Sequence, residues 1–218
     1  MSAPRFVLAS HNAKKLAELR TVLAGAVPGL DPASVVSSGQ LGLADPVEDG
    51  TSFRENALIK ARAAAEATGL MAIADDSGLS VDILGGAPGI FSARWAGVHG
   101  DDAANNALLL AQLADIAPEH RAASFVCAAA AVIPGSVGAA GGADVGPGER
   151  EIVEEGRMSG HLLSAPRGEG GFGYDPLFIP DGFTVTSAQL SPEDKNRISH
   201  RGQAFRALAA RLGSLLAG

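Results

Sequence analysis

Within residues 52–74 the hydrophobic pattern changes from helical to extended across only Gly69 and Leu70, and a helix followed so closely by a strand points to an α/β protein. Ser52-Phe53-Arg54-Glu55 has capping-box spacing, in which the serine oxygen and the glutamate each satisfy backbone N–H groups at a helix start. The helix this predicts reaches about Thr68. Its stripe of Ala57, Leu58, Ala61, Ala64 and Ala65 is small enough for close packing, and Gly69 suits the left-handed residue that ends it. Residues 71–74 then read as a short apolar strand that stops at Asp75-Asp76-Ser77-Gly78, with a second extended run over 79–84.

The same pattern recurs along the chain. Residues 5–9 predict a strand and 14–23 a helix carried by Leu16, Leu19 and Leu23. A Gly/Pro-rich loop over 85–97 leads to a helix capped by Asp101 or Asp102 and carrying Leu108, Leu109 and Leu113. Strands are expected over 122–133 and 149–163. The connector 134–148, nearly all Gly, Ala, Pro, Ser and Val, reads as a flexible hairpin tip. Ser191-Pro192-Glu193-Asp194 starts one helix, and Phe205, Leu208, Leu212, Leu215 and Leu216 mark the apolar side of the last. Together these elements predict a single α/β domain over residues 1–218 with a mixed sheet.

Composition narrows the function. With 46% hydrophobic and 19% charged residues the chain is globular rather than disordered. Its longest apolar run, Phe125 to Ile133, is far short of the roughly 18 to 20 residues that span a bilayer, so no membrane association is expected. The start lacks a signal-peptide core, which makes the cytoplasm the expected compartment. Seventeen basic against 24 acidic side chains give −7, a balance that argues against binding long nucleic acid and requires any phosphate to be met locally. The single cysteine, Cys127, lies in an apolar run and reads as structural.

Several polar groups suit chemistry. Adjacent Asp75 and Asp76 point to opposite faces of an extended segment, so their roles should differ. Either they form a hydrophilic turn, or one of them joins Glu48 in the magnesium-and-phosphate arrangement that takes one or two carboxylates. Ser10, Asn12 and Lys15 lie between strand and helix, where N–H groups and the helix dipole favour an anion, although such turns also simply face solvent. Lys60 reads equally as a surface lysine or a site cation. Gly170-Gly171-Phe172-Gly173-Tyr174-Asp175 either offers a stacking face to a flat ligand such as a nucleobase or bends so that its aromatics fill the core. Lys195, Ser199, His200 and Arg201 bring donors to a helix start, for a base or phosphate oxygen or as a solvated cap. Trp95 reads as a packing or interface anchor, and His99, His120 and His161 lack metal-pair spacing.

The blocks SHNAKK, EDGTSFRENALIKARAAAEATG, IADDSGLSVDILGGAPGIFSARWAG, GFGYDPLF and EDKNRISHRGQA, in this order and spacing, closely resemble the ITPase-like or Ham1 family of purine nucleoside triphosphate pyrophosphatases over most of residues 5–212. That resemblance implies an elongated, two-lobed mixed sheet flanked by helices with a central active-site cleft. It also implies a homodimer and magnesium-dependent cleavage of ITP, dITP and XTP to the monophosphate and pyrophosphate. By the resemblance, Ser10, Asn12 and Lys15 would hold phosphates within a binding segment that includes His11, Ala13 and Lys14. Glu48 and Asp76 would bind Mg2+, with Asp76 the base; Lys60 would add positive charge and Asp75 would support the site. Ser77 would touch substrate. Phe172, Gly173, Tyr174 and Asp175 would form the base and sugar pocket, and Lys195, His200 and Arg201 would read the purine edge. Two features depart from the family: Trp95 stands where tyrosine is usual, and the connector matches no motif.

The mechanism expected from these roles is attack on the α-phosphorus by water deprotonated with help from Asp76, with pyrophosphate as leaving group. The competing expectations are a pyrophosphatase for other modified nucleotides and a nucleotide-sensing module without catalysis.

Overall fold

A computed structural model describes residues 5–134 and 151–217 of the chain. Among the described residues six strands and six α-helices follow in the order β1 (Phe6–Leu8), α1 (Ala13–Ala26), β2 (Val35–Ser37), α2 (Ser38–Leu41), α3 (Phe53–Thr68), β3 (Met71–Val81), α4 (Asp102–Gln112), β4 (Ala122–Val132), β5 (Glu151–Leu162), β6 (Phe178–Pro180), α5 (Pro192–Ile198) and α6 (His200–Ala217). The strands form one sheet of order β2-β1-β3-β4-β5-β6. β1 pairs in parallel with β2 and β3, with Phe6 opposite Val35 and Met71, and β5 pairs antiparallel with β6, so the sheet is mixed as expected. Among the described residues no helix is long and apolar enough to cross a membrane.

The chain divides into two compact units. Among the described residues the first comprises 5–76, 128–134, 151–155 and 201–217, and the second comprises 77–127 and 156–200. In the first unit the alanine stripe of α3 meets alanines on the sheet: Ala57, Ala61, Ala64 and Ala65 pack with Val7, Ala72, Ala74, Ala128 and Ala130. Small side chains on both surfaces bring the helix backbone close to the strands. Ser52 caps α3 through Glu55 N, and Gly69 ends it in the left-handed conformation at φ 67°. Arg20 of α1 donates from Nε and Nη2 to the Val35 carbonyl at 3.0 and 2.7 Å, tying that helix to β2.

Larger side chains fill the second unit. Leu79, Val81, Leu109, Leu113, Phe125, Met158, Leu177 and Phe178 form its core, with Trp95 packed against it. Phe125 meets Phe178 edge-on at 4.8 Å between ring centroids. Asp101 caps α4 through Ala104 N, which leaves Asp102 as the first helical residue and resolves the choice between them. Cys127 is buried, as its apolar setting predicts.

Two expectations need correction. β3 does not stop at the acidic pair but runs through it to Val81, because Asp75 finds buried counter-charges and Gly78 packs where no side chain would fit. The expected run over 79–84 is accordingly the end of β3 plus a 3-10 turn at Asp82–Leu84. The short elements β2, α2 and β6 were not anticipated, since three or four residues are too few to establish a period. Apart from Pro134, the connector 134–148 lies outside the described residues.

Candidate active site

β3 places the two aspartates in different surroundings, and the hydrophilic-turn reading falls with the turn. Asp75 has a side chain only 1% exposed and accepts both of its oxygens' contacts from Lys15 Nζ, at 2.8 Å each. Arg201 Nε, from the first turn of α6, adds a third contact at 3.1 Å. Burial by itself would raise the Asp75 pKa, but the charges of Lys15 and Arg201, the lysine hydrogen bond and the more distant Lys60 outweigh it and hold the carboxyl well below the usual range. Glu18, half-buried on α1, joins this cluster. Its pKa is raised chiefly by burial and further by Asp75, against the opposing pull of Arg201, Arg206 and Lys15.

Asp76 belongs to a second cluster, centred on Lys60 of α3. The lysine ammonium lies 3.1 Å from Glu48 Oε1 and 3.7 Å from Asp76 Oδ1, and is largely buried. Burial lowers its pKa, but Asp76, Glu48 and Asp75 more than offset that and the net direction is upward. Lys60 is therefore a paired, charged group rather than a surface lysine. Asn56, 1% exposed on the same helix, donates Nδ2 to Asp76 Oδ2 at 3.1 Å and accepts the Gly50 N–H at 2.9 Å. It thus links the aspartate to the loop that carries Glu48.

Glu48, Asp76 and Lys60 carry two negative charges against one positive, and both carboxylates converge on one cationic point. Hard carboxylate oxygens in that number are the donors magnesium takes, with water and phosphate oxygens completing its shell. Among the described residues no group of three or more His, Cys, Asp and Glu gathers as a metal site.

At the start of α1, Asn12 Oδ1 accepts from Lys14 N and Lys15 N, and Ser10 Oγ accepts from Asn12 N. The cap therefore takes two of the backbone donors that the sequence offers to an anion. Ala13 and Lys14 are exposed, and His11 Nε2 lies 3.4 Å from Asp45 on the surface. Ser77 is half-buried in β3.

The second unit holds the glycine-rich loop. Its two aromatics separate: Tyr174 is buried in the core with its hydroxyl donating to the Ser92 carbonyl at 2.9 Å, whereas the Phe172 ring is 67% exposed. Burial, reinforced by Asp102, raises the Tyr174 pKa, so its hydroxyl stays protonated. Asp175 Oδ2 accepts the Phe172 N–H at 2.9 Å and the Lys195 ammonium at 2.6 Å, and that ammonium lies 5.5 Å from the Phe172 ring centroid. Gly171 stands at φ 79°, where a Cβ would meet the Asp175 carboxylate and Lys195. His200 stacks on Phe125 at 5.2 Å. Of the three residues expected at the purine edge, Lys195 is beside the exposed ring, His200 is on Phe125 and Arg201 is on Asp75. Asn56, Glu18 and Asn106 were not anticipated, because nothing in the local pattern distinguishes them from ordinary helix residues, and Asp102 was expected only as a possible helix cap.

Residues 6–211 match the model of the Ham1 family. The chain belongs to the Ham1 family. It is 55% identical over 212 residues to a dITP/XTP pyrophosphatase of Streptomyces coelicolor, covering 97% of this chain and 98% of that one. To a dITP/XTP pyrophosphatase of Nocardia farcinica it is 51% identical over 99% and 98% of the two chains. Among solved Ham1-family structures, the Coxiella burnetii protein superposes with a TM-score of 0.82 at 38% identity, covering 97% and 99% of the chains. The Mycobacterium abscessus nucleoside-triphosphatase / dITP/XTP pyrophosphatase superposes with a TM-score of 0.73 at 49% identity, covering 95% and 98%.

Proposed function

We propose that this chain hydrolyses ITP, dITP and XTP to the nucleoside monophosphate and pyrophosphate, clearing non-standard purines from the nucleotide pool. The reading is carried by the end-to-end likeness, at 55% identity, to a protein named dITP/XTP pyrophosphatase. The two charge clusters of the first unit supply chemistry in keeping with it. Water attacks the α-phosphorus, the bond to the bridging oxygen breaks, and the pyrophosphate takes that oxygen with its electron pair. Asp76, oriented by Asn56, receives the proton of the attacking water. Lys15 and Arg201, gathered by Asp75, offset the phosphate charge. Glu48 and Asp76 are the residues that would hold Mg2+, which when bound would supply further neutralisation of the triphosphate.

Base selection rests on Phe172 and Lys195. An ammonium has donors only, so beside a stacking face it suits the C6 oxygen of hypoxanthine or xanthine and finds no partner in the amino group of adenine. A mismatch of that kind discriminates by as much as about 10⁴ to 10⁵. We further infer a cytoplasmic homodimer. The deciding experiment measures pyrophosphate and orthophosphate release from ITP, XTP, dITP, GTP and ATP, with and without magnesium. Pyrophosphate from the first three in magnesium is expected; ATP cleaved as fast as ITP, or orthophosphate alone, would overturn the reading.

A further inference from the structure

We propose that Asp102 and Asn106, on one face of α4, are positioning residues that set the base selectivity of the Phe172 loop; this rests on the assignment of that loop to the purine. Residues 168–173 include four glycines, Gly168, Gly170, Gly171 and Gly173, so the segment has more backbone freedom to lose on ordering than one of ordinary residues. A ring presented from such a segment is useful only if the backbone beneath it is held.

α4 holds it from outside. Because Asp101 already caps the helix, the Asp102 carboxylate is available to the loop, and its Oδ2 accepts the Gly173 N–H at 2.6 Å. One turn further on, where i and i+4 side chains share a face, Asn106 Nδ2 donates to the Gly173 carbonyl at 2.9 Å. Both polar groups of the residue after Phe172 are thus bound to a single rigid surface. Asp175 secures Phe172 N–H from within the loop, and with the same oxygen it binds Lys195. The clamp on Gly173 consequently fixes the ring and, through Asp175, the ammonium beside it.

The anchor is itself braced. Buried Arg121 donates to the carbonyls of Leu113, Ile116 and Leu163, holding the far end of α4. The Asn106 Oδ1 is buried with no hydrogen-bond partner among the described residues. An apolar side chain would avoid that cost, so the amide is explained by what its nitrogen does for Gly173.

Asp102→Ala and Asn106→Ala, made separately in the full-length chain, test the proposal. Removing the charge-assisted Asp102 bond should raise KM for ITP by about ten- to hundredfold, and removing the neutral Asn106 bond by about two- to tenfold, each with a smaller change in kcat. The ITP-to-ATP ratio of kcat/KM should fall. Inhibition by inorganic tripolyphosphate, which has phosphates but no base, should stay within about twofold of the parent. Asp102→Asn, whose amide oxygen still accepts, should recover part of the loss. An unchanged KM and selectivity in both alanine variants would overturn the proposal, as would tripolyphosphate inhibition weakened in step with ITP. Absence of ITP cleavage by the parent protein would instead defeat the functional assignment and this proposal together. Should Asp102→Ala fail to fold, Asn106→Ala decides alone.

Discussion

Asp75 and Asp76 share a strand and a side-chain type, yet their neighbours assign them different work. Asp76 borders Lys60 and Asn56 in the half-buried second cluster, where a base needs both orientation and access. We predict that Asp76→Asn lowers kcat by at least about 10² while nucleotide binding persists, since the amide preserves shape but cannot take a proton. Near-normal turnover would remove Asp76 from that role. Asp75 is a structural counter-ion instead. Its folded pKa lies below the unfolded value of about 3.9, so the unfolded chain binds more protons and stability rises with pH across that interval. The contribution is complete above the unfolded pKa and is lost as pH falls toward the folded one. Asp75→Asn should cost about 3–5 kcal/mol at neutral pH by removing the buried negative charge that Lys15 and Arg201 share. Urea unfolding from pH 3 to 7 should show the gap to the parent narrowing toward the acid end; a constant gap would contradict the assignment.

At the level of elements, α3 and β3 carry most of the first site, and each depends on small residues. The α3 stripe succeeds because Ala72, Ala74, Ala128 and Ala130 meet it from the strands. That close approach also brings Asn56 and Lys60 within reach of Asp76. Ala61 is fully buried in this contact, so Ala61→Leu should destabilise the chain by about 1–3 kcal/mol through overpacking and lower activity by displacing Lys60. Thermal unfolding and kcat measured together check this; a stable variant with reduced activity would show that the helix shifts rather than strains. α4 shows the converse dependence, of a loop on a helix. Its periodicity announces a core-facing stripe through Leu109 and Leu113, while its importance to the glycine-rich loop comes from Asp102 and Asn106, polar residues that continue that same face toward the start of the helix.

For the molecule as a whole, a net charge of −7 means that an anionic substrate is attracted only by local groups, and Lys15, Arg201 and Lys195 each stand beside a carboxylate that keeps them in place. The proposed homodimer belongs to this scale too. Ile83, Phe91 and Val98 are exposed on the segment following β3, and an exposed phenylalanine is a natural contact for a second copy. Sedimentation should give twice the 21.9 kDa chain mass, and Phe91→Asp should shift it toward the monomer. A monomeric parent would refute the dimer.

Local chemistry was enough to identify the helices now seen at residues 13–26, 53–68 and 102–112, the Ser52 cap, the strands of residues 122–132 and 151–162 and the mixed α/β class, because capping spacing and hydrophobic period act between near neighbours. The family blocks implied roles for Glu48, Asp76, Lys15 and Lys60, and the fold gathers Glu48, Asp76 and Lys60 while placing Lys15 on Asp75. Only the folded chain decided that the acidic pair continues a strand, that Tyr174 fills the core while Phe172 faces outward, that Lys60 is paired, and that Arg201 rests on Asp75. These outcomes depend on partners tens of residues away. A side chain's burial and protonation are set by what surrounds it in space, and a linear pattern has no term for a counter-charge delivered by another element.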